Sequence, residues 1–159
     1  MKRSSTIFLQ VVIVALGILA LTIMIRFPLT EGRAANLDLF SIYWDPVIIY
    51  IYLASIPFFV ALFQAFKLLG YIGQNKVFSL SSVKTLRNIK YCSIILGASI
   101  VLVGIYIKIF HAQDDDPAGF LAMCIVTTFI SIVIATAAAV FERTLQSAVD
   151  IKSENDLTV

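Results

Sequence analysis

Four apolar runs, each about long enough to cross a bilayer, occupy most of this chain: Thr6–Ile25, Val47–Leu69, Tyr91–Phe110 and Gly119–Phe141. A helix rises about 1.5 Å per residue, so about 20 residues cover the roughly 30 Å hydrocarbon layer. None of the four carries a charge in its central turns. Only 14% of the residues are charged against 60% hydrophobic, and the charges fall between the runs, beyond them or in their last turn. A soluble domain needs a polar coat; here lipid takes its place. The expected fold is all-α: a polytopic integral membrane protein with four transmembrane helices, packed as one four-helix membrane domain over residues 1–159. Its cytoplasmic loop would span 70–90 and its cytoplasmic tail 142–159.

The placement of lysine and arginine sets the expected topology. Nine of the twelve, namely Lys2, Arg3, Lys67, Lys76, Lys84, Arg87, Lys90, Arg143 and Lys152, fall on one side. Arg26, Arg33 and Lys108 fall on the other. Cations are retained on the cytoplasmic side, so both termini and the 70–90 loop are expected there. Glu31, Asp38, Asp45 and Asp114 to Asp116 lean outward. The first run exceeds the usual apolar core of a signal peptide, and Arg33 spoils the nearest small-residue cleavage site. It reads as an uncleaved first span.

Local signals refine the path. The segment Leu37 to Trp44 is apolar for a loop, and Tyr43 and Trp44 suit the headgroup layer. It reads as a membrane-hugging connector, with an external ligand platform as the alternative. Asp45-Pro46 has the chemistry of a helix start. Pro57 lies in mid-span and cannot donate to the carbonyl of Leu53, so a kink is expected there. It is either a static kink, with a hydroxyl such as that of Ser55 satisfying the freed group, or a hinge. Gly70 and Gly73 read as the break in the second span. Asn75-Lys76-Val77-Phe78 reads as a turn with an aromatic anchor, and Ser79 as the cap of a helix running into span three. On that helix Leu80, Val83, Leu86 and Ile89 recur beside a basic face of Lys84, Arg87 and Lys90. That face suits anionic lipid, a cytosolic protein, or topogenesis alone.

Ser93 and Gly97 in span three, and Ser131, Ala135 and Ala139 in span four, are small residues at i, i+4 spacing. Such ridges let helices approach closely, within one chain or in a homo-oligomer. The tail reads as a helical extension of span four. Its end, Leu157-Thr158-Val159, is β-prone, and strand addition to a partner is an option.

No catalytic constellation is visible, and no enzyme activity, cofactor or metal is expected. His111 is the single histidine. Asp114 to Asp116 lack the spacing and glycine of a calcium loop and read as a solvated turn. There is no phosphate-binding glycine loop. Cys92 and Cys124 are separated by most of a bilayer and read as packing residues. The span interiors hold only hydroxyls and amides, among them Ser55, Gln64, Ser99, Thr127, Thr128, Ser131 and Thr136. Proton-coupled carriers usually need a carboxylate there, so a passive pore is the form of transport left open. Glu142 and Lys67 lie at the cytoplasmic margin, to pair or to snorkel.

Asn75-Lys76-Val77-Phe78-Ser79, then Ser82-Val83-Lys84 and Leu86-Arg87, resemble the loop of a bacterial membrane family, domain of unknown function 2975. The ending Lys152-Ser153-Glu154-Asn155-Asp156-Leu157-Thr158-Val159 is similar to that family's charged close on Asp-Leu-Thr-Ile, with Val159 in place of isoleucine. The four-span layout also agrees. The resemblance implies no established activity. It does imply company with small helix-turn-helix regulators, and by analogy a protein that holds such a regulator at the membrane.

The combined expectation is a multi-pass protein of the bacterial cytoplasmic membrane, acting as a regulatory or scaffolding protein. Its contacts are the lipid bilayer and a cytosolic partner such as a transcriptional regulator, with no direct contact to nucleic acid. The residues expected to meet that partner are Lys76, Phe78, Ser79, Lys84 and Arg87, with Asn155, Asp156, Leu157, Thr158 and Val159. The alternative is a small oligomeric channel or transporter with Pro57 as hinge.

Overall fold

The computed structural model describes residues 3–30, 43–44, 46–110 and 118–157. They form four helices and, among the described residues, no strand: α1 Arg3–Thr30, α2 Pro46–Gly73, α3 Leu80–Phe110 and α4 Ala118–Leu157. Each contains a stretch long and apolar enough to cross a membrane. The burial pattern is that of a chain solvated by lipid. Phe8, Leu102 and Phe129 are each about two-thirds exposed, whereas the buried apolar core is small and includes Val83, Leu86, Ile89, Val103, Ala135 and Ala138. Where the surroundings are as apolar as the side chains, burial of leucine or phenylalanine gives little incentive to associate. The connector at 31–42, Asp45, His111 and Asp114 to Asp116 lie outside the described residues.

The helices pack in sequence order, α1 on α2, α2 on α3 and α3 on α4, and no other pair packs comparably. The four-helix domain is therefore an open row with α1 at one edge. Close approach between α3 and α4 rests on small residues. A Cβ on Gly97 would stand 3.4 Å from Ser131, and one on Gly104 3.6 Å from Cys124. Ser93, Ser131 and Ala135 are buried in the same seam. The small-residue ridges thus meet within the chain. Both cysteines are free thiols.

Between the other helices, tyrosines supply the polar links. The hydroxyl of Tyr50 donates to the carbonyl of Ser99 (2.9 Å), and that of Tyr52 to the carbonyl of Met24 (3.0 Å). Tyr43 reaches the carbonyl of Ile25 at 3.2 Å. The intramembrane hydroxyls of Ser99, Thr127, Ser131 and Thr136 each donate to the carbonyl four residues back. Such back-bonding satisfies a hydroxyl where no water is available.

Two local expectations are corrected. The Ser55 hydroxyl does not satisfy the carbonyl that Pro57 frees: in a helix that continues through Pro57 it donates to the carbonyl of Tyr52 (2.7 Å), not to that of Leu53. Gly70 does not break the helix, which ends at Gly73, and neither glycine has a positive φ. They make room for α1: a Cβ on Gly73 would stand 3.1 Å from Thr6, and one on Gly70 3.7 Å from Gln10. The Gln10 amide donates to the carbonyl of Phe66 at 3.4 Å, tying the same crossing.

Helix α4 has 40 residues and a length of about 60 Å, roughly twice the hydrocarbon thickness. Its apolar run ends at Phe141, so the segment from Glu142 onward projects beyond the membrane. Helix α3 projects at the same end through its first turns, residues 80–90. The segment 70–90 is consequently helical except for a turn at 74–79.

Candidate functional site

Most described cations gather at the end of the row where α2 stops, α3 starts and α4 projects. Lys67, Lys76, Lys84, Arg87, Lys90, Arg143 and Lys152 belong to this basic end. Three local devices fix its shape.

The first is the stop of α2. Asn75 adopts a left-handed φ of 56°. The amide of Lys76 donates to the carbonyl of Tyr71 (2.9 Å), and that of Asn75 to the carbonyl of Ile72 (3.2 Å). This paired 6→1 and 5→2 pattern is a Schellman stop. Asparagine occupies the left-handed position because its short polar side chain tolerates it better than most.

The second device is the start of α3. The Ser79 hydroxyl accepts from the amide of Ser82 (3.3 Å), and the Ser79 carbonyl accepts from the amides of Ser82 and Val83. This is the expected serine cap. Ser82 is wholly buried; its hydroxyl donates to the carbonyl of Lys76 at 3.2 Å and lies 3.2 Å from that of Ser79. One buried hydroxyl therefore ties the end of one helix to the start of the next.

The third device is an ion triad between α3 and α4. Glu142, only 7% exposed, binds Lys90 through Oε2 at 2.6 Å and the Nε of Arg87 through Oε1 at 2.7 Å. Hydrogen bonds from Lys90 and then Arg87 hold its carboxyl below the ordinary carboxylate value, and Glu142 holds the Arg87 guanidinium above its own. Lys67, the partner considered from sequence, instead places its ammonium 4.7 Å from the centre of the Phe63 ring. The triad orients the projecting part of α4 against α3, with Val83, Leu86 and Ile89 buried around it.

Between the turn and the projecting helix lies an open groove of about 950 Å³. Tyr71 and Gln74 border it from α2, Asn75, Lys76, Phe78 and Ser79 from the turn, and Ser81 from α3. Ala148, Ile151, Lys152 and Asn155 close it from α4. The lining holds two lysines and no carboxylate, and neither lysine is ion-paired among the described residues. Phe78 and Ile151 are each about 60% exposed. This is a cationic cleft with apolar anchors.

The structure brings together four of the residues singled out from sequence, Lys76, Phe78, Ser79 and Asn155, across more than seventy positions of chain. It does not bring Lys84 or Arg87 to the groove. Lys84 is exposed on α3, and Arg87 is engaged by Glu142. Asp156 and Leu157 belong to the last turn of α4, so the chain is helical at Leu157 rather than extended. Thr158 and Val159 lie outside the described residues. Sequence reasoning passed over Tyr71, Ile151 and Lys152 as lining residues and Glu142 as the hub. The i, i+4 spacing of Ala148 and Lys152, on the helical extension, was the available signal for the tail wall. Among the described residues no group of three or more histidines, cysteines or carboxylates gathers as a metal site would require.

Residues 28–159 match the family described as "Protein of unknown function (DUF2975)". Over the full length of both chains, the protein is 44% identical to "Uncharacterized membrane protein YoaS" of Bacillus subtilis (strain 168). No solved structure matches it. The chain belongs to the DUF2975 family of membrane proteins.

Proposed function

We propose that this DUF2975 member is a non-enzymatic regulatory or scaffolding protein of the bacterial cytoplasmic membrane that engages a soluble protein through the groove between turn and tail. The carrying observation is the convergence of Lys76, Phe78 and Ser79 with Ile151, Lys152 and Asn155 around one cleft. The cleft is at the upper limit of small-ligand pockets, which run about 300–1,000 Å³, and it is open. Those features suit a segment of protein better than a small solute. Its apolar anchors and its two lysines favour a partner surface that is acidic and carries apolar side chains.

Orientation is part of the same proposal. The basic end is assigned to the cytosol on the excess of lysine and arginine there. A small helix-turn-helix regulator is the partner type that the family resemblance favours. The test is affinity capture of the full-length protein and of a chain ending at Val149, both in native membranes. The truncation removes Ile151, Lys152 and Asn155 from the groove and leaves all four spans. The expected result is normal membrane insertion with loss of the partner captured by the full chain. Capture of the same partner in equal yield by the truncated chain would refute the reading.

A further inference from the structure

A second cavity lies on the lipid-facing side of the α3–α4 seam, away from the basic-end groove. It is a trough of about 740 Å³. Gly97, Ser131 and Ala135 are among its small lining residues, with the exposed side chains of Leu102 and Ile132 beside them. Lys90 stands at its head. Small residues bring the helix backbones together and leave a furrow where larger side chains would fill space.

Three features indicate what fills it. The first is length. From Lys90 to Leu102 the trough runs twelve residues, or about 18 Å, close to the roughly 15 Å depth of one leaflet. A neighbouring transmembrane helix would use a seam crossing the whole bilayer; this one stops near the midplane. The second is lining. Below Lys90 the lining is mostly apolar or small; the Ser131 and Thr136 hydroxyls are donated to their own helix, and the Thr128 hydroxyl is buried without a partner among the described residues. The third is charge. Arg87 and Lys90 face one carboxylate, Glu142, so the head of the trough keeps one net positive charge. Glu142 engages only the Nε of Arg87 and one donor of Lys90, and their other N–H groups can serve a phosphate. A second copy of the chain offers the wrong charge. Copies inserted the same way bring their basic ends to one level, so each adds further positive charge there.

We propose that the α3–α4 trough seats one acyl chain of an anionic phospholipid, with the lipid phosphate held at the Arg87–Lys90 end. The bound lipid fills the furrow that close α3–α4 packing creates and neutralises the excess charge of the triad. The site is independent of the partner groove and of any reading of that groove.

The test uses full-length protein reconstituted in vesicles of equal parts phosphatidylglycerol and phosphatidylcholine. The protein is then extracted in mild detergent and weighed by native mass spectrometry. The wild type is expected to retain one phosphatidylglycerol over phosphatidylcholine by about fivefold, the ratio given by about 1 kcal/mol per cation. Ala98→Trp fills the trough from an exposed lining position and is expected to lose the bound lipid. Should that variant fail to melt cooperatively, Thr136→Phe, exposed on the other wall, is read in its place. Arg87→Gln is expected to keep a bound lipid but lose the headgroup preference. Equal retention of the two lipids by the wild type would overturn the headgroup assignment. Full lipid retention in a folded filler variant would overturn the trough. A dimer mass abolished by Ala98→Trp would assign the trough to a second copy instead.

Discussion

Replacing Glu142 by glutamine is the sharpest perturbation of the basic end. Glutamine keeps the shape and one carbonyl acceptor, but removes the charge that holds Lys90 at 2.6 Å and Arg87 at 2.7 Å. The two cations are then left together at the membrane edge, beside a group only 7% exposed. Removing one partner of a buried ion pair costs about 3–5 kcal/mol. The Lys90 side chain is 22% exposed and that of Arg87 51%, so water relieves part of the loss, and about 2 kcal/mol remains for Glu142→Gln. For a chain of this size that lowers Tm by about 4–8 °C.

Cys92 on α3 and Cys124 on α4 are both half-buried, so a thiol-reactive fluorophore reports thermal opening of the seam in detergent. The pH dependence supplies a second readout. The folded-state carboxyl titrates below its ordinary value of 4.5, so the triad's contribution is complete above that pH and is lost as pH falls through the depressed value. Wild-type Tm should therefore drop toward that of Glu142→Gln on acidification below about pH 4.5. A change of less than 1 °C at pH 7, or parallel acid profiles for the two proteins, would refute the claim that the triad fastens α4 to α3.

The turn makes further predictions, each read by the same melting assay. Ser82→Ala removes the buried donor to the Lys76 carbonyl and should cost about 1–2 kcal/mol, with faster proteolysis at 74–79 than in the wild type. Asn75→Val puts a β-branched side chain at φ 56° and should cost about 1–2 kcal/mol, whereas Asn75→Gly should be neutral or stabilising. Equal losses from both Asn75 variants would mean that its side chain, not its backbone conformation, is what matters.

The spans were legible because lipid imposes a length and excludes charge, and both are written locally in the chain. The serine cap was legible for the same reason: Ser79 acts on residues only three and four positions away. The α3–α4 seam could be read from residue size, since only small side chains permit such closeness. What escaped depends on distant pairings. Glu142 meets Arg87 and Lys90 across more than fifty residues, and sequence alone placed Lys67 as near. Gly70 looked like a helix breaker because α1 was not in view; against Gln10 it is a contact surface, as Gly73 at the helix end is against Thr6. The stop itself was set by Asn75, which sequence placed in the turn without giving it that role. At the site, the turn side of the groove was anticipated. The tail side was only partly so, because Ile151 and Lys152 matter through the direction that the triad gives α4.

The central claim is that turn and tail form one surface on the cytosolic side of the membrane. It is tested most directly by single cysteines at Phe78 and at Ile151, in a chain whose Cys92 and Cys124 are replaced by alanine. Both cysteines should react with a membrane-impermeant maleimide in inside-out vesicles and stay unlabelled in intact cells. Labelling of either position from outside intact cells, or labelling of the two from opposite faces, would contradict the account.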